Sequence, residues 1–79
     1  MKVKGKIKKI DIRETFRGDQ IAFIIFATND QKLELIVYPT IFKKHVQFLK
    51  KSDIQITITG VKQTEGYIMV QHMEYAGKD

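Results

Sequence analysis

The sequence predicts an all-β chain: a five-stranded Greek-key barrel with a short helix between the third and fourth strands. Three observations carry this. Five runs rich in Ile, Val, Phe and Thr are separated by turn-forming residues. The first run is long, and its apolar phase slips by one residue midway, so that one bent strand can belong to two sheets. The single proline, Pro39, follows Tyr38 at the end of the third run, where a helix can begin.

The first strand covers residues 2–17. Val3, Gly5 and Ile7 share one face, with Lys2, Lys4, Lys6 and Lys8 on the other. The apolar positions then move to Ile10 and Ile12, which places a bulge near Lys8 and Lys9. Gly5 inside a strand signals a bend or a close backbone approach. Phe16-Arg17-Gly18-Asp19 reads as a turn, with Gly18 free to take a positive φ.

The second strand, residues 20–28, and the third, residues 32–38, are the most apolar part of the chain. They do not alternate as half-exposed strands do, so both faces carry apolar side chains. Ile24, Phe26, Leu33, Leu35 and Val37 are assigned inward, and Phe23, Ile25, Ile36 and Tyr38 outward. What the outward set meets is the functional question. Asn29-Asp30-Gln31-Lys32 forms the turn between these strands.

Pro39 opens a helix over residues 40–51, with Ile41, Phe42, His45, Val46 and Leu49 on its apolar face. Lys50 and Lys51 suit the negative end of its dipole. Such a helix plugs the open end of a small barrel. Phe26, Phe42 and Phe48 are assigned to the core or the helix contact. The fourth strand, residues 54–64, turns Ile54, Ile56 and Ile58 inward and Gln55, Thr57 and Thr59 outward, with a bend at Gly60. Gln63-Thr64-Glu65-Gly66 is a hairpin turn. The fifth strand covers residues 67–75 with Ile68 and Val70 inward, and residues 76–79 read as a frayed end.

Composition narrows the function. A chain of 79 residues makes one domain with a small core. It has no cysteine, which fits a reducing, cytoplasmic setting and excludes thiolate metal sites. No apolar run approaches a membrane span, and no membrane partner is expected. The net charge of +5 is unevenly placed. Residues 1–17 carry +5 and residues 39–52 carry +4, and the remainder is net acidic. Clustered basic charge favours polyanions, although a basic face also serves solubility. Enzyme chemistry has little support. His45 and His72 are isolated in the sequence without carboxylates at metal-ligand spacing, and no phosphate-binding Gly loop, nucleophile elbow or HExxH run is present. No catalysis, metal or cofactor is expected.

Five strands, a bent first strand and a helix after the third describe an OB-fold. The residues Val3-Lys4-Gly5-Lys6-Ile7, Gly18, Ala22-Phe23-Ile24, Leu33 through Pro39, Phe42, Leu49, Gly60 and Gly66 follow a recognisable pattern. In it the chain resembles the OB-fold nucleic-acid-binding domain of the bacterial replicative DNA polymerase III α subunit. The resemblance covers nearly the whole chain and rests most on the aromatic-Pro step at Tyr38-Pro39. It departs from the pattern at the turn of residues 29–32, which lacks the usual Gly. It implies contact with single-stranded template, no catalysis by this domain, and a chain that is a piece of a longer polymerase.

OB-folds bind oligonucleotides across strands two and three, flanked by the first and last hairpin loops. Single strands need aromatic faces for bases and cations for phosphates. Phe23 and Tyr38 are the outward aromatics, Phe16 and Tyr67 lie near the loops, and Ile25 continues the apolar face. Packing under a loop is the competing role for Phe16 and Phe23. Lys4, Lys6 and Lys8, with Lys2, form a row beside strand two, about 6.6 Å apart, and Arg13 and Arg17 extend it toward the first loop. Lysines on a strand edge can instead guard against aggregation. Asp11, Glu14 and Asp19 are assigned to balancing the two arginines. The expected function is single-stranded DNA binding. The alternatives are a docking module that uses the outer patch of Phe23, Ile25, Ile36 and Tyr38, and a tRNA-binding barrel.

Overall fold

The computed structural model describes residues 1–49, 55–63 and 66–77, with the side chains of 48 and 75–77 outside that description. The expectations for Phe48, Lys50, Lys51, Ile54 and residues 64–65 therefore lie outside the described residues. The elements are β1 (Lys2–Glu14), β2 (Gln20–Ala27), β3 (Lys32–Val37), α1 (Pro39–Leu49), β4 (Gln55–Lys62) and β5 (Ile68–Gly77). The strands close a barrel in the order β1-β2-β3-β5-β4, with β4 returning to β1. All neighbours are antiparallel except β3 and β5, which meet in parallel through Leu35–Ile68 and Ile36–Met69. This is the expected OB-fold, helix position included.

Closure depends on β1. Its first residues, Lys2–Gly5, pair with β4, and from Lys6 onward it pairs with β2. Gly5 sits where the partner changes, and it is buried. Between Ile7 and Lys9 the register to β2 shifts by one, leaving Lys8 as the extra residue of a bulge. The bulge keeps Ile7 facing Phe26 and Ile10 facing Ile24, so the apolar side chains on both sides of it reach the core. Ile12 does not follow them. It is 45% exposed, because β1 has left β4 by then and its last residues have a neighbour on one side only.

The barrel is filled by Ala22, Ile24, Phe26, Leu35, Val37, Ile56, Ile58, Ile68, Val70 and Met73, all nearly inaccessible to solvent. Met73 joins this set through a second bulge. The register between β4 and β5 slips after Thr59–His72 to Gly60–Val70, leaving Gln71 unpaired and returning Met73 to the interior. The β5 strand continues to Gly77, which pairs with Gln55 of β4 across a register shift at Ala76, so the expected fraying does not begin at residue 76.

Pro39 starts α1 as expected, and the Phe42 amide closes the first turn on the Tyr38 carbonyl at 2.8 Å. The helix is described as far as Leu49, the expected residues 50 and 51 lying outside the described residues, and it has non-helical geometry at His45 (φ −123°, ψ 19°). Phe42, His45 and Leu49 are buried beneath it, with Ile41 and Val46 partly so. His45 and His72 are not isolated. Their rings meet edge to face with centroids 5.2 Å apart.

Burial, then the nearby His72 and Lys44, holds the His45 imidazole below its ordinary value of 6.5. The unfolded chain therefore takes up a proton at His45 at a higher pH than the folded chain does. The stability contributed by neutral His45 is complete above about 6.5 and is lost as pH falls below it. Thermal melts followed by circular dichroism should show the midpoint falling from pH 7 to pH 5. His45→Gln should flatten part of that fall, and identical pH slopes for the two proteins would contradict the assignment.

Candidate nucleic-acid interface

The outer surface of β1, β2 and β3 is set by the register. Going across the strands, Lys9 faces Ile25, which faces Glu34, and Asp11 faces Phe23, which faces Ile36. Arg13 faces Ile21. These residues share one face because they lie two apart along each strand beyond the bulge. Tyr67 immediately precedes β5, next to β3, and leans onto the same surface.

Three side chains converge there. The Tyr67 ring stands edge-on to Phe23 with centroids 5.7 Å apart and an interplanar angle of 63°. The Arg13 guanidinium lies over the Phe23 ring, its Cζ 5.5 Å from the centroid. Asp11 holds that guanidinium in place, accepting from Nε at 3.0 Å and lying 2.9 Å from Nη2. This ion pair is exposed, so its role is to position Arg13 rather than to stabilise the fold. Around the three is an open hollow of about 290 Å³, with Ile25 in its floor and Lys9 and Glu34 at its sides. Its volume is near the lower limit for a ligand pocket, which suits one base and part of its neighbour.

A second hollow, of about 370 Å³, lies further along β1 where β2 and β4 diverge. Lys4, Lys6 and Lys8 line it together with Thr28, Asn29 and Gln55. Thr28 also organises the glycine-free turn between β2 and β3. Its amide bonds the Gln31 carbonyl at 2.9 Å, and its hydroxyl donates to the Asp30 carboxylate at 3.2 Å. The turn is thus held by side-chain hydrogen bonds where the resemblance led one to expect Gly.

The ten residues expected at the site separate into three groups. Arg13, Phe23, Ile25 and Tyr67 come together in the first hollow. Lys4, Lys6 and Lys8 come together in the second. Phe16 and Arg17 occupy the tip of the first turn, and Tyr38 lies at the end of β3, and none of the three lines either hollow. Phe16 is fully exposed there. The turn beneath it is closed by the Thr15 amide on the Asp19 carbonyl at 2.6 Å and by Gly18 at φ 90°. The single row of lysines beside β2 is corrected. Lys2 and Lys4 run beside β4, and the bulge hands the outer row on to Lys9, Asp11 and Arg13. Lys9 and Glu34 are the site residues that sequence reasoning missed.

No protein-family model matches the chain, and no curated protein matches it in sequence. Among solved structures, the chain is similar to two crystal forms of Rim1, a mitochondrial single-stranded DNA-binding protein of S. cerevisiae. The selenomethionine-labelled Form 2 superposes with a TM-score of 0.78 at 8% identity, over 100% of this chain and 94% of that one. Form 1 gives 0.59 at 11% identity, over 100% and 96%. At these identities the likeness is one of fold.

Proposed function

We propose that the chain is a non-catalytic, single-stranded DNA-binding OB domain whose ligand lies across β1, β2 and β3. The observation that carries this reading is the grouping of Arg13, Phe23 and Tyr67 over one open hollow. Two rings and a guanidinium plane give flat surfaces on which bases stack whatever their sequence. Lys9 beside them, and Lys4, Lys6 and Lys8 around the bulge, supply cations for the phosphates. The extended fold-level likeness to a single-stranded DNA-binding protein supports the reading. The finer setting is the one implied by the sequence resemblance: a domain of a bacterial replicative polymerase in the cytoplasm, touching the template strand outside the catalytic centre.

Fluorescence anisotropy of a labelled single-stranded oligonucleotide tests the proposal. Saturable binding at low salt that weakens as salt rises is the expected result, since each neutralised phosphate releases counterions. Lys9→Ala should make the logarithmic salt slope shallower by roughly 0.7, the share of one phosphate contact on a single strand. No saturable binding by the folded protein at low salt would overturn the proposal. Binding that holds or strengthens with salt would point to apolar docking on Phe23, Ile25 and Ile36 instead.

A further inference from the structure

The nucleic-acid face contains a carboxylate that a purely electrostatic site has no use for. Glu34 is exposed at the side of the first hollow, directly across from Ile25 and diagonal to Phe23. Asp11, the other acid there, is engaged by Arg13. No hydrogen bond or ion pair joins the Glu34 carboxylate to any described residue. Beside a phosphate chain such a group is repulsive. Beside the edge of a stacked base it is a double acceptor. The diagonal spacing across antiparallel strands is roughly 7–8 Å, which a Glu side chain can span to reach the rim of a ring stacked on Phe23.

The bases differ in what they offer to two acceptor oxygens. Guanine presents two adjacent donors, N1–H and the 2-amino group. Adenine and cytosine each offer an amino group next to a ring nitrogen that is itself an acceptor. Thymine offers N3–H between two carbonyl oxygens, which repel a carboxylate. We propose that Glu34 makes this hollow selective for guanine, its Oε1 and Oε2 accepting from N1–H and the 2-amino group of a base stacked on Phe23. The inference rests on the single-strand reading above and adds a base preference to it.

The test compares three oligomers by anisotropy: a short oligothymidylate, the same oligomer with one central guanine, and the same with hypoxanthine in place of that guanine. A good bidentate base contact discriminates by about 1–3 kcal/mol, and this exposed site belongs at the lower end, so the guanine oligomer should bind about 5- to 10-fold tighter. Hypoxanthine, which lacks the 2-amino group, should lose most of that gain. Glu34→Gln replaces one acceptor with a donor. It should abolish the guanine preference while modestly tightening oligothymidylate binding, because one negative charge near the phosphates is gone. Equal binding of the guanine and thymine oligomers by the wild-type protein would overturn the role of Glu34 and leave the single-strand reading intact. So would a preference that survives in Glu34→Gln. Failure of every oligomer to bind would instead remove the single-strand reading, and this inference with it.

Discussion

Gly5→Ala is expected to unfold a large share of the protein, although it adds only one methyl group. A Cβ at residue 5 would collide with the Ala27 carbonyl oxygen and stand 2.9 Å from both the Ala27 carbonyl carbon and the Phe26 ring. Real Cβ contacts are essentially never that short, and two of these atoms are backbone. Relief requires β1 to move away from β2 where it changes partners, and Phe26 to leave its place in the centre of the barrel. Overpacking against side chains alone costs about 1–3 kcal/mol, and a backbone collision belongs at or above the top of that range. That is a large part of the stability of a domain this small. Gly18→Ala is the contrasting case. There φ is 90° and nothing lies within 4 Å of the added carbon, so the cost is conformational strain of about 1–2 kcal/mol. Urea denaturation followed by circular dichroism should rank the two in that order. Equal stability of Gly5→Ala and wild type would refute the close approach.

Phe23→Leu is expected to cause the largest loss of binding without loss of fold. Leucine keeps an apolar side chain over Ile25 and beneath Arg13, but it offers neither a ring face to a base nor an edge partner to Tyr67. Stacking on an aromatic side chain is worth about 1–3 kcal/mol per base, so affinity for a single strand should drop about 5- to 150-fold. The melting midpoint should change little, since Phe23 is only half-buried and outside the core cluster. An unchanged dissociation constant in this variant would remove Phe23 from the interface.

Much of the fold was legible because it is written in local patterns. The phase slip from Ile7 to Ile10 marks the bulge at Lys8, and Tyr38-Pro39 marks the start of the helix. What the patterns lack is the identity of the neighbouring strand. Alternation shows that Lys4 and Lys6 share a side of β1, but not that Lys4 lies beside β4 and Lys6 beside β2. For the same reason alternation carries the lysine row on through Lys8 and passes over Lys9. Taking the bulge as the point where the outward phase also changes would have selected Lys9, Asp11 and Arg13. Glu34 stood in view as the one acid in an apolar strand, and it took the pairing with Ile25 to place it in the hollow. Met73 was missed because Gly60 signals a bend in β4, whereas the extra residue, Gln71, lies in its partner. The meeting of His45 and His72 joins a helix to a distant strand, and no local spacing encodes it.

The most direct test of the central claim, that single-stranded DNA lies across β1, β2 and β3, is a map of backbone amide shifts. The nitrogen-15-labelled protein would be titrated with a short oligothymidylate. The largest changes should fall at Lys9, Asp11, Arg13, Phe23, Ile25 and Tyr67, extend toward Lys6 and Thr28 around the bulge, and spare α1. Saturable changes concentrated on α1 and the outer face of β4, with the β1–β2–β3 surface silent, would contradict it.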